Sequence, residues 1–389
     1  MGTIDLSDWH GFTENPYPYY AAARAEGPVH RVHGPDGPFW LIVGHDEARA
    51  ALTDERLVKT PEKVGRPSLG RAIGRTLLES DPPDHTRLRR LVAREFTARR
   101  VERLTPRIQE ITDRLLDDML PAGRADLIDA FAFPLPIIVI CELLGVPPGD
   151  RDLIRVWSNK VVQFTTSDEA AGARAELAVY LDGLIESHRR EGLGDDLVSA
   201  LVRTRDEDGG RLSGPELRGL AYILLIAGHE TTVNLIGNAV RVLLDHPGQL
   251  AAVRADPGLV DGVVEETLRY DGPVETATLR YSAEAVRVGD TEIPAGEIVL
   301  VGLASAGRDP ARFEAPDTFD VHRDARGHIA FGHGIHFCVG AQLARVEARI
   351  ALTTLLARAP GLARDPEAPP PDWLPGLLIR GTRTLPLRW

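Results

Sequence analysis

The stretch 331–340, FGHGIHFCVG, holds one cysteine among three glycines. Cys338 follows Gly332 and Gly334, precedes Gly340, and lies just before the helical pattern AQLARVEARIALTTLLAR. Glycines allow tight turns and let a planar ligand approach the backbone closely. Peptide N–H groups and the positive end of the following helix stabilise a thiolate. The loop therefore predicts that Cys338 is a metal ligand or a nucleophile.

Two other interpretations of Cys338 are open. A free cysteine is often only a small buried apolar residue, and His333 and His336 could complete a zinc site with it. Structural zinc sites usually take paired cysteines at a characteristic spacing. The other cysteine of the sequence, Cys141, lies in the apolar run LPIIVICELLGVP, so we expect it in the core. The loop glycines favour the ligand or nucleophile interpretation of Cys338.

A long helix is predicted upstream of this loop, from Pro215 to just before Pro247, with Ser213 as its N-terminal cap. About 30 residues at 1.5 Å each give a rod of roughly 45 Å, long enough to cross the whole molecule. Its middle reads AGHETT at 227–232. Glycine costs a helix about 1 kcal/mol against alanine, and threonine hydroxyls compete for the carbonyl four residues earlier. The segment therefore favours a kink or a widened turn beside a ligand, although a packing contact through Gly228 is the alternative.

The remaining pattern is mainly helical, with a small β-rich lobe. Apolar residues recur at three- and four-residue spacing between 85 and 245, which predicts an array of helices. Strand-like runs flank the turn Pro35-Asp36-Gly37 and predict a hairpin. We expect one domain over 1–389, composed of a β-rich part at about 1–60 and 274–301 and a helical part at about 85–270 and 340–358.

Composition and charge narrow the class of protein. The 389 residues are 43% hydrophobic and 26% charged, as in an ordinary globular protein. The net charge of −12 disfavours nucleic acid as a partner, because phosphate binding needs a basic surface. No secretion signal is recognisable, and the longest apolar stretches are about half of the ~20 residues that cross a bilayer. Two cysteines exclude a disulfide framework. We expect a cytoplasmic monomer without a membrane anchor.

The cysteine loop resembles the haem-binding signature of the cytochromes P450, Phe-x-x-Gly-x-x-x-Cys-x-Gly. Phe331, Gly334, Cys338 and Gly340 match its fixed positions. The resemblance covers nearly the whole chain and implies the cytochrome P450 fold, in which a long central helix crosses the molecule over a buried haem b. It further implies that the Cys338 thiolate ligates the haem iron and that Gly332 belongs to the same cofactor-binding loop.

The centre of the long helix is similar to the family's oxygen-binding motif, Ala-Gly-x-Asp/Glu-Thr. The resemblance implies that Ala227 and Gly228 make room for dioxygen, and that Glu230 and Thr231 are catalytic because they guide protons to it. Since this acid and alcohol are both present, we expect dioxygen rather than peroxide to be the oxidant.

Other segments match family motifs that hold the haem and its loop. Taken alone, each charged residue in them is typical of a solvated surface. The resemblance implies that Glu266 and Arg269 lock Arg323 before the cysteine loop, and that Gly307 stands where the family usually has Asn. The residues implied to bind the haem propionates are His85, Arg89, Arg280 and His336.

The implied activity is that of a monooxygenase, which inserts one oxygen atom from O2 into a hydrophobic molecule by hydroxylation or epoxidation. A macrolide or other polyketide, or a steroid-like compound, would be a suitable secondary metabolite. Oxidative ring coupling by the same haem and a haem gas sensor are the alternatives. The expected pocket is formed by Leu224, Ile226, Ala227, Val274, Thr278 and Leu378.

The sequence has no flavin or iron–sulfur motif, so electrons must come from elsewhere. The resemblance implies a ferredoxin and its reductase. A basic patch around the cysteine is expected to dock the acidic ferredoxin. Its members are Arg87, Arg90, Arg94, Arg345 and Arg349.

Overall fold

The computed structural model describes residues 3–4, 9–34, 37–67, 73–163, 168–207 and 212–389. Helices form most of this part of the chain, and strands are short and lie mainly near the N-terminus and between 280 and 301, as the sequence predicts. The helices are α1 Trp9–Glu14, α2 Tyr17–Glu26, α3 His45–Thr53, α4 Asp84–Ala93, α5 Ala98–Met119, α6 Pro134–Leu144, α7 Arg151–Gln163, α8 Asp168–Glu191, α9 Leu197–Glu207, α10 Gly214–Asp245, α11 Pro247–Ala255, α12 Val260–Asp271, α13 Leu303–Gly307 and α14 Ala341–Arg358.

The central helix α10 has 32 residues and begins where the sequence predicts. The Ser213 hydroxyl accepts from the N–H of Glu216, and the Glu216 carboxylate accepts from the N–H of Ser213, so the two residues form a capping box. The helix packs against α6, α8, α12 and α14. It is long and apolar enough to cross a membrane, but 78% of its most apolar 18-residue window is buried inside the protein. It is therefore a core helix.

The helical assignment of α10 continues without interruption through 227–232, so the expected kink or widened turn does not break the helix. The Thr231 hydroxyl donates to the Ala227 carbonyl oxygen at 3.1 Å, which is the competing bond expected of a helical threonine. The neighbouring intrahelical bonds persist because the surrounding helices bury this segment on several sides.

The strands form a mixed sheet in the order β1-β2-β3-β9-β6-β4, a sheet β10-β11-β5 and a two-stranded pair β7-β8. The predicted hairpin is confirmed by β2 and β3, which pair with Val29 opposite Ile42, while Pro35 and Asp36 of its turn lie outside the described residues. Strand β9 adds parallel to β3 and so joins the two β-rich segments of the chain. The strands are β1 Thr3–Ile4, β2 Val29–Gly34, β3 Gly37–Ile42, β4 Leu57–Val58, β5 Arg124–Asp126, β6 Arg280–Ser282, β7 Val286–Val288, β8 Thr291–Ile293, β9 Ile298–Val301, β10 Ala363–Arg364 and β11 Pro386–Arg388.

The largest hydrophobic core lies among the helices, and two smaller cores lie against the mixed sheet. Cys141 is part of the helical core and is fully buried, as expected. Burial raises the pKa of its thiol to about 12, so it is inert at neutral pH. Helix α10 carries the 227–232 motif through this core, while α14 begins directly after the cysteine loop.

Candidate active site

The cysteine loop is closed by a backbone hydrogen bond from the N–H of Cys338 to the carbonyl oxygen of Phe331, at 2.9 Å. Gly332 and Gly334 have φ of 74° and 73°, in the left-handed region that glycine adopts without strain. Gly340 has an ordinary φ of −88°, and a Cβ added there would meet no atom within 4 Å. Gly332 and Gly334 are thus required by their positive φ angles. Gly340 is not required by its φ angle, and the space next to its Cα is open.

That open space belongs to a large cavity between α10 and the cysteine loop, lined mainly by apolar side chains. Counted with its mouth, it encloses about 1390 Å³. Cys338 lines one wall, while Ala227, Gly228 and Thr231 line another. The two motifs that the sequence singled out therefore face the same cavity. The apolar residues that supply most of the lining include Leu52, Leu77, Leu78, Phe96, Ile140, Ile223, Leu224, Leu268, Val274, Leu303, Phe331, Phe337 and Leu343.

The Cys338 thiol is accessible from the cavity but surrounded by protein. Burial raises the pKa of this thiol, although a hydrogen bond from the Gly340 backbone and the charges of Arg89 and Arg345 act in the opposite direction. Burial thus favours the neutral thiol, and a cation bound at the sulfur would favour the thiolate, as for a metal ligand.

The four residues predicted to bind the haem propionates lie in or next to the cavity lining. The rings of His85 and His336 have their centroids 4.2 Å apart, and His336, Arg89 and Arg280 line the cavity. Both ring nitrogens of His85 and Nε of Arg280 are buried without a hydrogen-bond partner among the described residues. Because unsatisfied buried donors are costly, these atoms indicate that an anionic group of a ligand binds here.

Thr231 and Glu230 differ in where their side chains lie. Thr231 lines the cavity, whereas Glu230 is buried beside it and is not among the lining residues. Burial raises the pKa of Glu230 to about 7, and its Oε2 atom has no hydrogen-bond partner among the described residues. An acid with this pKa can both hold and release a proton at neutral pH.

Gly228 has two roles in the structure. It lines the cavity, and a Cβ added to it would come within 2.8 Å of the Ile140 side chain on α6. The packing interpretation of Gly228 and the oxygen-binding interpretation are therefore compatible, because the same small residue permits the helix contact and leaves the cavity open.

Four of the six predicted pocket residues, Leu224, Ala227, Val274 and Thr278, line the cavity. Ile226 and Leu378 are not among the described lining residues. Ile226 is displaced by about 100° around the helix from Ala227, so it points away from the cavity. Leu378 contributes its carbonyl oxygen, which accepts from the N–H of Glu275, rather than its side chain.

Glu266, Arg269 and Arg323 form the predicted structural cluster. Arg269 donates from Nε and Nη2 to the Glu266 carboxylate at 2.7 Å, and Arg323 donates from Nε to the same carboxylate at 3.1 Å. Arg269 also donates to the carbonyl oxygens of Gly307, Pro316 and Thr318. The cluster thereby ties α12 to the segment before the cysteine loop. Gly307 is required here because a Cβ would collide with the Arg269 backbone.

Two titratable residues of the cavity lining escaped the sequence analysis. Lys59 is buried, lines the cavity and donates to Thr278 and to the Leu279 carbonyl oxygen. Glu347 is buried on α14, and burial raises the pKa of its carboxyl well above the usual range. The spacing of Leu343, Ala344 and Glu347 places them on one helix face and could have revealed the second residue. No pattern in the sequence around Lys59 indicates that this residue is buried in the cavity wall.

A cysteine that opens from a glycine loop into a large apolar cavity, with arginine and histidine side chains beside that cavity, fits an iron porphyrin with two carboxylates. The cysteine supplies an iron ligand, and His85, Arg89, Arg280 and His336 fit the propionates. The fold and the site thus define a haem-thiolate protein.

The chain belongs to the cytochrome P450 family, whose sequence profile matches residues 156–360. Cytochrome P450 monooxygenase PikC from Streptomyces venezuelae is 57% identical over 97% of this chain and 92% of its own length. The 6-deoxyerythronolide B hydroxylase of Saccharopolyspora erythraea is 44% identical over 100% of this chain and 99% of its own. The tirandamycin C-bound structure of the P450 monooxygenase TamI has a TM-score of 0.91, with 44% identity and 99% coverage of both chains. The protein is a haem b monooxygenase of the bacterial secondary-metabolism type.

Proposed function

We propose that this monooxygenase hydroxylates or epoxidises a macrolide or a related polyketide in the cytoplasm. The observation that carries the proposal is the cavity whose lining includes Cys338, Ala227, Gly228 and Thr231 among mainly apolar side chains. Such a lining suits a hydrophobic substrate. Relatives named for 6-deoxyerythronolide B and bound to tirandamycin C support a polyketide over other hydrophobic compounds.

The proposed reaction places one atom of dioxygen in the substrate and releases the other as water, consuming two electrons and two protons. Bound haem supplies the iron centre at which dioxygen is reduced. In our proposal, Cys338 holds that iron, and the small residues Ala227 and Gly228 leave room on the opposite wall. Glu230 holds a proton on its carboxyl group and Thr231 passes protons into the cavity.

The substrate proposal is tested by titrating the purified holoenzyme with 6-deoxyerythronolide B, tirandamycin C and vitamin D3. We expect the two polyketides to displace water from the resting haem and shift its Soret band, and vitamin D3 to have a smaller effect. A response to vitamin D3 alone would refute the polyketide assignment. Turnover under ¹⁸O-labelled dioxygen then separates oxygen insertion, which labels the product, from oxidative coupling, which does not.

Electrons are proposed to come from a ferredoxin and its reductase. Arg90 on α4 and Arg94 directly after its end are exposed, and the same helix carries Arg89 beside the cavity. Neither forms an ion pair with the described residues. Arg87 pairs with Glu216 and Arg345 pairs with Glu265, so these members of the predicted patch are partly neutralised. The docking surface that we propose is therefore centred on Arg90 and Arg94.

A further inference from the structure

His229 occupies the variable position of the 227–231 motif and is completely buried. Its Nδ1 lies 2.7 Å from the carbonyl oxygen of Leu225. Because a carbonyl oxygen can only accept, Nδ1 carries the ring proton and Nε2 is left as an acceptor. The Ser158 hydroxyl lies 2.8 Å from Nε2 and donates to it. The two partners fix one neutral tautomer of His229.

The ring of His229 is held from several sides. Phe133 packs edge-on against it with centroids 5.7 Å apart, and the Arg155 guanidinium lies 4.4 Å from the centroid of the same Phe133 ring. Ser158 is fully buried on α7, so its hydrogen bond crosses from α7 to α10. Next to it, Trp157 donates from Nε1 to Glu176 on α8 at 2.7 Å. Helix α7 is thus fixed to both neighbouring helices by adjacent residues.

This arrangement determines which hydrogen bonds His229 can form with Glu230. Its Nε2 lies 3.8 Å from Oε2 of Glu230, which is too long for a hydrogen bond. Nε2 has no proton to donate, because burial lowers the pKa of His229 to about 4 and the single ring proton is on Nδ1, and its lone pair already accepts from Ser158. Oε2 of Glu230 accordingly has no hydrogen-bond partner among the residues in the described ranges. Without the Ser158 hydroxyl, this lone pair would be free to accept the proton of the Glu230 carboxyl and hold it in a hydrogen bond.

We propose that the Ser158–His229 hydrogen bond is a positioning device for proton transfer, because it occupies Nε2 of His229 and so prevents this nitrogen from holding the Glu230 proton. The inference rests on the proposed roles of Glu230 and Thr231 and adds Ser158 and His229 as positioning residues. It also makes proton transfer by Glu230 depend on the position of α7, because a displacement of this helix would remove the Ser158 donor to Nε2 of His229.

The test is the Ser158→Ala holoenzyme, with Ser158→Thr as a variant that keeps the hydroxyl. Ser282→Ala is the matched control, because Ser282 is equally buried and its hydroxyl donates to the Pro294 carbonyl oxygen on another part of the chain. A plant-type ferredoxin, its reductase and NADPH drive dioxygen reduction without added substrate. Two electrons and two protons convert dioxygen to hydrogen peroxide, whereas four of each convert it to water, so poorer proton delivery raises the peroxide fraction.

We expect Ser158→Ala to raise the peroxide released per NADPH about two- to fivefold, and Ser158→Thr and Ser282→Ala to stay near the parent protein. The ¹⁵N shifts of the His229 ring in the reduced, carbon monoxide-bound protein should show a changed hydrogen-bond partner at Nε2 in Ser158→Ala, while the ring proton stays on Nδ1. An unchanged ring spectrum and peroxide fraction would overturn the inference, as would an equal rise in Ser282→Ala.

Glu230→Gln separates this inference from the proposed function. If Glu230→Gln raises the peroxide fraction and Ser158→Ala does not, the relay stands and the positioning role is wrong. If Glu230→Gln leaves the fraction unchanged, the relay itself is wrong and the positioning role falls with it.

Discussion

At the scale of single residues, the site depends on groups that are buried without ordinary partners. Cys338 is surrounded by protein, yet burial raises the pKa of its thiol, and both ring nitrogens of His85 lack partners among the described residues. A folded chain tolerates such groups where a bound ligand satisfies them. The residues around Cys338 therefore form a binding site for haem and not an apolar core.

Cys338→Ser is expected to abolish the thiolate-type absorption of the reduced, carbon monoxide-bound holoenzyme, because a hydroxyl is a poor iron ligand. Cys141→Ala is the matched control, since it removes the other sulfur from a core position that does not line the cavity. Absorption spectra of both variants measure the effect. A native spectrum in Cys338→Ser would contradict the assignment of the iron ligand.

Glu230 should make the stability of the protein depend on pH. Burial raises the pKa of its carboxyl from an ordinary 4.5 to about 7, so the folded state holds the proton more tightly than the unfolded state. Its contribution, on the order of 3 kcal/mol, is fully present below about pH 4.5 and is lost as the pH rises to 7. Urea unfolding at pH 5 and pH 8 should show a smaller loss in Glu230→Gln than in the parent. Equal losses in both proteins would exclude Glu230 as the source.

The residues of the candidate site were predictable where chemistry and local spacing coincide. Cys338 and Thr231 lie in short motifs, and the structure places both on the cavity wall. Lys59 was missed because its burial arises from the pairing of β4 with β6, which joins segments more than 220 residues apart. Nothing near Lys59 in the sequence signals that long-range contact.

At the scale of elements, helix ends follow local rules and short strands do not. The Ser213 cap and the start of α10 were predicted, because capping depends on side chains within one turn. The sheet β10-β11-β5 was not predicted, since its strands have two or three residues each and lack an alternating pattern. The pairing of β11 with β5, with Pro386 opposite Asp126, is a long-range contact that no local pattern signals.

Removing the cap of α10 should lower stability measurably. Ser213→Ala removes the hydroxyl that accepts from the Glu216 N–H, and caps of this kind contribute about 1 kcal/mol. Thr97→Ala is a suitable control, because Thr97 also precedes a long helix but its side chain makes no capping hydrogen bond. Urea unfolding of the two holoenzymes gives the comparison. A similar loss in both variants would show that the Ser213 cap has no special contribution.

At the scale of the whole molecule, buried ion pairs connect helices to the loops that carry the site. The Glu266–Arg269 pair is almost fully buried and reaches through carbonyl oxygens to the segment before the cysteine loop. Breaking such a pair leaves a buried charge uncompensated. The position of the cysteine loop therefore depends on ion pairs outside the cavity lining.

Glu266→Gln is expected to destabilise the protein by about 3–5 kcal/mol, because Arg269 and Arg323 would lose their shared carboxylate. Haem should also be released faster, since the segment before Cys338 is no longer fixed. Transfer of haem to apomyoglobin measures this rate. Arg287 and Glu292 form an exposed pair, so Glu292→Gln should change neither quantity. If Glu266→Gln is destabilised but releases haem at the parent rate, the cluster contributes to folding and not to haem retention.

The charge of the molecule as a whole bears on electron transfer. A chain with a net charge of −12 repels an acidic ferredoxin unless a local basic surface compensates. Arg90→Glu with Arg94→Glu should therefore slow reduction by ferredoxin about tenfold or more at low salt, and the difference should shrink as salt screens the charges. Arg124→Glu with Arg287→Glu, at two exposed arginines on β5 and β7, provides a control with the same change in net charge. If the double variant and this control are slowed equally, net charge rather than a docking surface controls the encounter, because only a local surface can distinguish where the charge is placed.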